Sequence, residues 1–286
     1  VLYSNQQTPT FGRGKQDERQ LVNKQKDCLL PPDAVHQVAG WVRQAGQIAM
    51  GYFGRVKPLA KADHSFLTQA DLEIEGFLIE RLGAAFPGYG LVSEEGAVKG
   101  ARPPARAYWI LDPLDGTTAF VQGLPGWGIS LGLLCEGQPR LGLFYMPLLD
   151  DLTYTNGSNG LYGSDGCHLA QAVRPGWEDK SFLAINASAH CEYAIAFRRT
   201  RALGSVGANL IYTARGAATA AFVSKARVWD LVAGAAILAR SGGELRYLSG
   251  KKVHYLPLLD GRLAPEPIIA GHPKLLDELQ QIIRPK

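Results

Sequence analysis

The sequence predicts an α+β chain in which a largely antiparallel sheet half is followed by an α/β half. Three observations carry that expectation: apolar residues at helical spacing between 33 and 86, short β-rich runs between 108 and 155, and strands alternating with helices beyond Pro175-Gly176. With 286 residues, 46% hydrophobic and 20% charged, the chain has the composition of a globular protein long enough to bury a sizeable core. Disorder throughout is excluded.

Residues 1–32 are polar, mixed in charge and without sustained periodicity, and read as an N-terminal extension ending at Pro31-Pro32. Asp33 is a suitable N-cap for a first amphipathic helix carrying Val35, Val38, Ala39, Val42, Ala45 and Ala49. Thr68-Gln-Ala-Asp71 has the form of a capping box and opens a second helix, with Leu72, Leu78, Ile79 and Leu82 expected on its inner side. Runs at 108–111, 129–134, 141–145 and 152–155, separated by Gly, Pro and Asp, read as strands. Further along, a strand is expected at 182–185, an Ala-rich helix around 207–219 and a helix from Trp229-Asp230 to Gly242-Gly243. Strands at 244–248 and 268–270 and a last helix opened by Pro273 follow. The domains expected are thus 33–176, carrying the main site, and 177–286, completing it.

Lys and Arg number 30 against 26 Asp and Glu, a formal +4 scattered along the chain. No basic stripe argues for a nucleic-acid polymer, and the balance suits a small anionic substrate. Cys28, Cys135, Cys167 and Cys191 are far apart with no C-x-x-C, so reduced thiols in a cytoplasmic protein are expected. The uncharged run 116–135 has the length of a membrane span, but Pro125 and repeated glycines argue against a bilayer helix, and no charged-then-apolar signal pattern stands at the amino terminus.

The most informative segment is Trp109-Ile-Leu-Asp112-Pro-Leu-Asp115-Gly-Thr-Thr118, an apolar strand ending in two carboxylates, a Gly and two hydroxyls. Burying Asp112 and Asp115 together is costly without a compensating cation, and hard oxygen donors of this kind suit Mg²⁺. Gly116-Thr117-Thr118 can open a short helix whose N–H groups face a phosphate. Alone, the segment also reads as an Asx-type turn. Two further acidic segments shift the balance: Leu91-Val-Ser93-Glu94-Glu95-Gly96 at the end of a strand, and Trp229-Asp230-Leu-Val-Ala-Gly234 at the start of a helix.

These segments resemble the signature stretches of the inositol monophosphatase family, within the magnesium-dependent, lithium-sensitive phosphatase superfamily. The family's Gly-Glu-Glu-Ser stands as Ser93 to Gly96, its Asp-Pro-Ile/Leu-Asp-Gly-Thr as Asp112 to Thr117, its Trp-Asp-x-Ala-Ala-Gly as Trp229 to Gly234, and its Val-Thr-x-x-Asp as Leu67 to Asp71. The resemblance runs from about residue 33 to the C-terminus. It implies an αβαβα layered sandwich, a homodimer and no membrane association. It also implies one Mg²⁺ held by Glu94, Asp112 and the carbonyl of Leu114, and a second between Asp112, Asp115 and Asp230, with Asp71 as an outer or third-metal residue. Four carboxylates offer about four negative charges, which two Mg²⁺ neutralise.

The activity implied is hydrolysis of a small phosphate monoester by in-line attack of water, with Asp112 and Glu94 at the catalytic centre and Thr117 positioning the water together with Glu94. Gly116 and Thr117 would hold phosphate oxygens, and Asp115, Ser205, Val206 and Val223 would line the substrate. One of these positions departs from the family: inositol-hydrolysing members carry a Glu seven residues before the Trp-Asp acid, and here that residue is Val223. An apolar residue cannot accept hydrogen bonds from ring hydroxyls. The family's Asp four residues earlier is Thr219, and its Asn after Gly-Thr-Thr is Ala119. Lys225 and Arg227, with Arg198, Arg199 and Arg201, could bind a second anionic group or be ordinary solvated surface.

Substrates related to inositol monophosphate, fructose 1,6-bisphosphate, 3′-phosphoadenosine nucleotides and histidinol phosphate all fit this pattern, and a non-enzymatic relative that binds a phosphorylated ligand or regulates a partner is the rival class. Gly128-Ile-Ser130-Leu-Gly132 matches a serine-hydrolase elbow, but the apolar residues after it read as a continuing strand rather than a sharp turn into a helix. A nucleotide-binding P-loop is absent.

Overall fold

The structure is a computed structural model that describes residues 30–60, 66–96, 105–156, 160–170 and 172–286. Most of the extension expected over 1–32 therefore lies outside the described residues. Helix α1 (Pro32–Tyr52) starts one residue before the expected cap, because Pro32, with its φ already set for a helix, occupies the first turn and Asp33 sits beside it at the positive end of the dipole. A short antiparallel pair, β1 (Leu59–Ala60) and β2 (Phe66–Leu67), leads to α2 (Gln69–Ala85). The capping box that opens α2 forms as expected, with the Thr68 N–H donating to Asp71 Oδ2 at 2.7 Å.

The inner face of α2 differs from the expectation. Ala70, Ile74, Leu78 and Leu82 are buried at four-residue intervals, and with them Asp71 and Glu75, while Leu72 is 44% exposed. At about 100° per residue, Leu72 lies some 200° around the helix from Ala70, on the solvent side.

Strands β3 (Gly90–Ser93), β4 (Ala107–Asp115), β5 (Gly128–Cys135), β6 (Gln138–Met146), β7 (Asp151–Thr155) and β8 (Leu161–Tyr162) form one sheet in chain order, parallel at β3–β4 and antiparallel elsewhere. The short helix α3 (Thr117–Val121) joins β4 to β5, so the uncharged run 116–135 is a helix, a loop and a strand. Among the described residues no helix is long and apolar enough to cross a membrane. Ser130 lies inside β5 with its hydroxyl donating to the Trp229 carbonyl at 3.3 Å, which removes the nucleophile elbow.

The second half contains β9 (Leu183–Ile185), α4 (Ala189–Glu192), β10 (Tyr193–Ile195), β11 (Thr200–Arg201), α5 (Val206–Ala214), β12 (Ala220–Val223), α6 (Val228–Arg240), β13 (Glu244–Tyr247), β14 (Ile268–Gly271), α7 (Pro273–Ile282) and β15 (Ile283–Pro285). Its main sheet has the order β11-β9-β12-β14-β13, with β11, β9 and β12 parallel and β14 antiparallel to both neighbours. The helix expected to run to 219 stops at Ala214, because 220–223 is taken up as the central strand between β9 and β14.

Alternation along the strands sorts side chains into layers. Trp109, Leu111, Ile129, Leu131 and Leu143 pack with α1 and α2 on one face of the first sheet. Ile110, Leu134 and Phe144 point the other way and meet α5, α6 and one face of the second sheet, represented by Ala221, Val223, Ile268 and Ala270. Phe222, Ile269, Leu276 and Leu279 close the far side beneath α7. The expected αβαβα sandwich is therefore present.

Cys135 is disulfide-bonded, whereas Cys167 and Cys191 are free and exposed. Wide spacing along the chain says nothing about proximity in space, which is why the expectation of reduced thiols fails at Cys135.

Helix α6 packs directly against the backbone of the first sheet at Gly132 on β5 and Gly142 on β6. A Cβ on Gly142 would stand 2.2 Å from the carbonyl oxygen of Ala233 on α6, a backbone atom that cannot swing aside. Replacing Gly142 by Ala is expected to lower the unfolding free energy by about 3 kcal/mol. The urea denaturation midpoint measures this, and an unchanged midpoint would show that α6 has room to spare at β6.

Candidate metal centre

In a regular strand, residues three apart face opposite sides, so Asp112 and Asp115 should diverge. They do not, because the pairing of β4 with β5 shifts register between them: Asp112 faces Ser130 and Asp115 faces Gly128, leaving one extra residue on β4. Pro113 lies in that bulge, where its missing N–H costs no ladder bond. Both carboxylates then turn to one place. The Leu114 N–H donates to Asp112 Oδ1 at 3.0 Å, and the Thr117 hydroxyl donates to the Leu114 carbonyl at 3.0 Å, which ties the bulge to the start of α3.

The third acid arrives from the other half of the chain. Asp230 sits in the first turn of α6, where its Oδ2 accepts the Arg227 N–H at 2.6 Å. Carboxylate oxygens of Asp112, Asp115 and Asp230 all lie within 4.8 Å of one another. Glu94 follows β3, its N–H bonded to the Leu111 carbonyl at 3.1 Å, and its charge reaches all three of the other acids.

Asp115 also holds the two halves together. Its Oδ2 accepts the Gly207 N–H at 2.5 Å and its Oδ1 the Val206 N–H at 3.3 Å, so it caps α5 from a strand nearly a hundred residues away. A Cβ on Gly207 would fall 2.6 Å from Asp115 Oδ2 and 2.1 Å from the Phe144 ring, so this approach requires glycine.

Burial, followed by the charges of Glu94, Asp115 and Asp230, raises the Asp112 carboxyl well above its usual range. Burial, then Asp115, does the same to Asp230. For Asp115 burial prevails over the bonds from Gly207, Ser205 and Val206, and the carboxyl is pushed up from 3.8 to about 6. Such a set is poorly ionised by itself and fits a hard divalent cation that neutralises it.

The structure thus brings Asp112, Asp115 and Asp230 together, with the charge of Glu94 acting on all three and the Leu114 carbonyl and Thr117 tied into the bulge, and it corrects three of the sequence expectations. Asp71 is not in the cluster: its Oδ2 accepts both the N–H and the hydroxyl of Thr68, and the carboxylate serves as a helix cap. Val223 is 0% exposed in the central strand β12, inside the core beneath α5 and α6, and cannot line a substrate. Ser205 caps α5, accepting the Ala208 N–H at 3.0 Å, and also lines the neighbouring cavity, whereas Val206 offers its N–H to Asp115 rather than to a ligand. The basic residues near this region also have protein partners: Lys225 pairs with Glu192, Arg199 with the Asp179 carbonyl and Arg227 with the Gly261 carbonyl, while Arg201 lies over the Phe182 ring.

A cavity of about 690 Å³ opens next to this region, lined by Thr118, Leu124, Asn186, Leu203, Ser205 and Tyr212 among others. None of the four acids lines it. Sequence reasoning missed Glu75, a buried acid on α2 whose partners are the residues around Glu94. Its spacing of four from Asp71 was the available signal, and on a helix that spacing is common on solvated faces.

A raised carboxyl favours the protonated folded state, so these acids cost nothing below the unfolded value near 4. Their cost grows as pH climbs from that value toward the folded ones and is complete above them, which for Asp115 means above about 6, with Asp112 and Asp230 raised in the same direction. Metal-free protein with Asp112→Asn is therefore expected to melt about 5 °C higher than wild type at pH 7.5, corresponding to roughly 2 kcal/mol of relieved repulsion. Added Mg²⁺ should raise the melting temperature of wild type but not of the variant. Scanning calorimetry with and without Mg²⁺ gives both numbers, and a lower metal-free melting temperature for the variant would contradict the assigned repulsion.

The family model described as "Inositol monophosphatase family" matches residues 33–284. The chain is 28% identical over 265 residues to a protein of Xylella fastidiosa described as Nus factor SuhB, covering 87% of this chain and 94% of that one. It is 31% identical over 222 residues to an inositol-1-monophosphatase of Mesorhizobium japonicum, covering 72% and 82%. Among solved structures, an inositol monophosphatase of Thermotoga maritima superposes with a TM-score of 0.74 at 24% identity, covering 87% of this chain and 96% of the other, a likeness of fold. With its acids in place and a family match spanning nearly all the described residues, the chain belongs to the inositol monophosphatase family.

Proposed function

We propose that the protein is a Mg²⁺-dependent phosphomonoesterase that hydrolyses a small phosphorylated alcohol. The observation that carries this reading is the convergence of Asp112, Asp115 and Asp230 within 4.8 Å at the seam between the two sheets, with the charge of Glu94 beside them. In the same reading, Glu94, Asp112 and the Leu114 carbonyl hold one ion and Asp112, Asp115 and Asp230 a second, in a homodimer of the kind the resemblance implies. When bound, Mg²⁺ supplies charge neutralisation of the phosphoryl oxygens, a water of lowered pKa and stabilisation of the leaving alkoxide.

The chain's own groups do the rest. Thr117 uses its hydroxyl hydrogen to bond the Leu114 carbonyl, so its oxygen is left as an acceptor that orients an attacking water. Glu94 accepts that water's proton, and the backbone at Gly116 and Thr117 receives the phosphate. The substrate alcohol must find its hydrogen bonds elsewhere than at residue 223, since Val223 is apolar and buried. An inositol-monophosphate-like substrate stays nearest to the overall pattern, and a fructose bisphosphate, a 3′-phosphoadenosine nucleotide and histidinol phosphate are the alternatives that the loss at 223 favours. The engagement of Lys225, Arg199 and Arg227 with protein partners weakens the case for a second phosphate. A regulatory role is the second reading, favoured by the near full-length match to a relative described as a Nus factor.

Phosphate release from inositol 1-phosphate, fructose 1,6-bisphosphate, 3′-phosphoadenosine 5′-phosphate and histidinol phosphate, with and without Mg²⁺, tests the proposal. Turnover of one member that disappears on chelation is expected; silence across the panel from protein that binds no Mg²⁺ would favour the regulatory reading. On the preferred substrate, Asp230→Asn should remain folded and lose about 100–1,000-fold in kcat. Thr117→Ala should lose about 100-fold in kcat with little change in KM, and Thr117→Ser should recover most of it. Wild-type rates in Thr117→Ala would remove the water-orienting role.

A further inference from the structure

Glu75 is outside the four acids of the metal centre, yet it is only 8% exposed and takes its hydrogen bonds from one short stretch of chain. Its Oε1 accepts the Ser93 hydroxyl, the Glu95 N–H at 3.2 Å and the Gly96 N–H at 2.9 Å. Those donors flank Glu94 on both sides. The fit is close, since a Cβ on Gly96 would come within 3.3 Å of Glu75 Oε2. Two donors depend on the order in which this chain writes its motif: the hydroxyl comes from Ser93 and the snug backbone from Gly96, positions that the family pattern fills with Gly and Ser respectively.

Something has to hold this loop, because the Glu94 charge opposes ionisation of Asp112, Asp115 and Asp230 and is repelled by them in turn. The Glu94 N–H is fastened to β4 through the Leu111 carbonyl, and the residues either side of it are fastened to α2 through Glu75.

We propose that Glu75 is a positioning residue for Glu94: a fixed anion on α2 that gathers the donors flanking Glu94 and so holds its carboxylate at the metal centre against repulsion by the aspartates. This rests on the reading of Glu94 as a metal ligand. Loss of such an outer partner weakens metal affinity by about 10-fold or more. Glu75→Gln keeps the size of the side chain but removes the charge that attracts the N–H and O–H donors.

Mn²⁺ binding to metal-free protein, read by electron paramagnetic resonance of the free ion and by calorimetry, tests this in wild type, Glu75→Gln, Ser93→Ala and Glu94→Gln, with a melting curve for each. Glu75→Gln is expected to weaken Mn²⁺ binding about 10-fold, and kcat at saturating Mn²⁺ should fall by less than the affinity does. Ser93→Ala, which leaves the carboxylate and its backbone bonds in place, should weaken binding about 3-fold, less than the roughly 10-fold expected on loss of a whole outer partner, and stands as the test if Glu75→Gln does not fold. Weakening by Glu94→Gln alone, with folded Glu75→Gln or Ser93→Ala binding as wild type does, overturns the positioning role and leaves Glu94 a ligand. Wild-type affinity in Glu94→Gln overturns the ligand reading and this inference with it.

Discussion

Carboxylates brought within 4.8 Å of one another in a buried site repel each other and lose their hydration, and much of the molecule is arranged to hold Asp112, Asp115 and Asp230 in that position. Both costs act on the ionised form, which is why the carboxyl values rise, and both are relieved by a divalent cation. The unfavourable energy of the metal-free state is therefore the same quantity that drives metal binding. A protein that stored no such repulsion would have less to gain from the ion.

The acids are held by devices that differ in kind. A bulge with Pro113 turns Asp112 and Asp115 to one side of β4, the N-terminus of α5 receives Asp115, and a capping box fixes Asp230 in the first turn of α6. Because Asp115 reaches across to α5 while α6 lies on β6 over Gly142, the two sheets must be docked before the third acid can join the other two. Assembly of the site and packing of the sandwich are one event. The inner face of α2 takes part as well, through the buried Glu75 and its bonds to the turn that carries Glu94.

The acids of the site were legible because three short acidic segments occur together and resemble the signature stretches of one family, although each alone also reads as a turn, a loop or a cap. The bulge was not, since it depends on pairing with β5, and in isolation two acids three apart predict opposite faces. Val223 was misread because the resemblance put it where family members carry a substrate-binding Glu, while its burial is decided by β9 and β14 on either side of β12. Leu72 was placed inside by hydrophobicity and Asp71 near the metal by its motif, yet the helix period puts one on the solvent side and the capping box occupies the other.

Anomalous diffraction from crystals soaked in Mn²⁺ tests the central claim most directly, because it locates the ion without reference to any substrate. The account predicts a strong peak bounded by Asp112, Asp115 and Asp230, with a second toward Glu94 and the Leu114 carbonyl at higher Mn²⁺. An acid cluster without a peak at millimolar Mn²⁺, its carboxyls sharing protons instead, would contradict it.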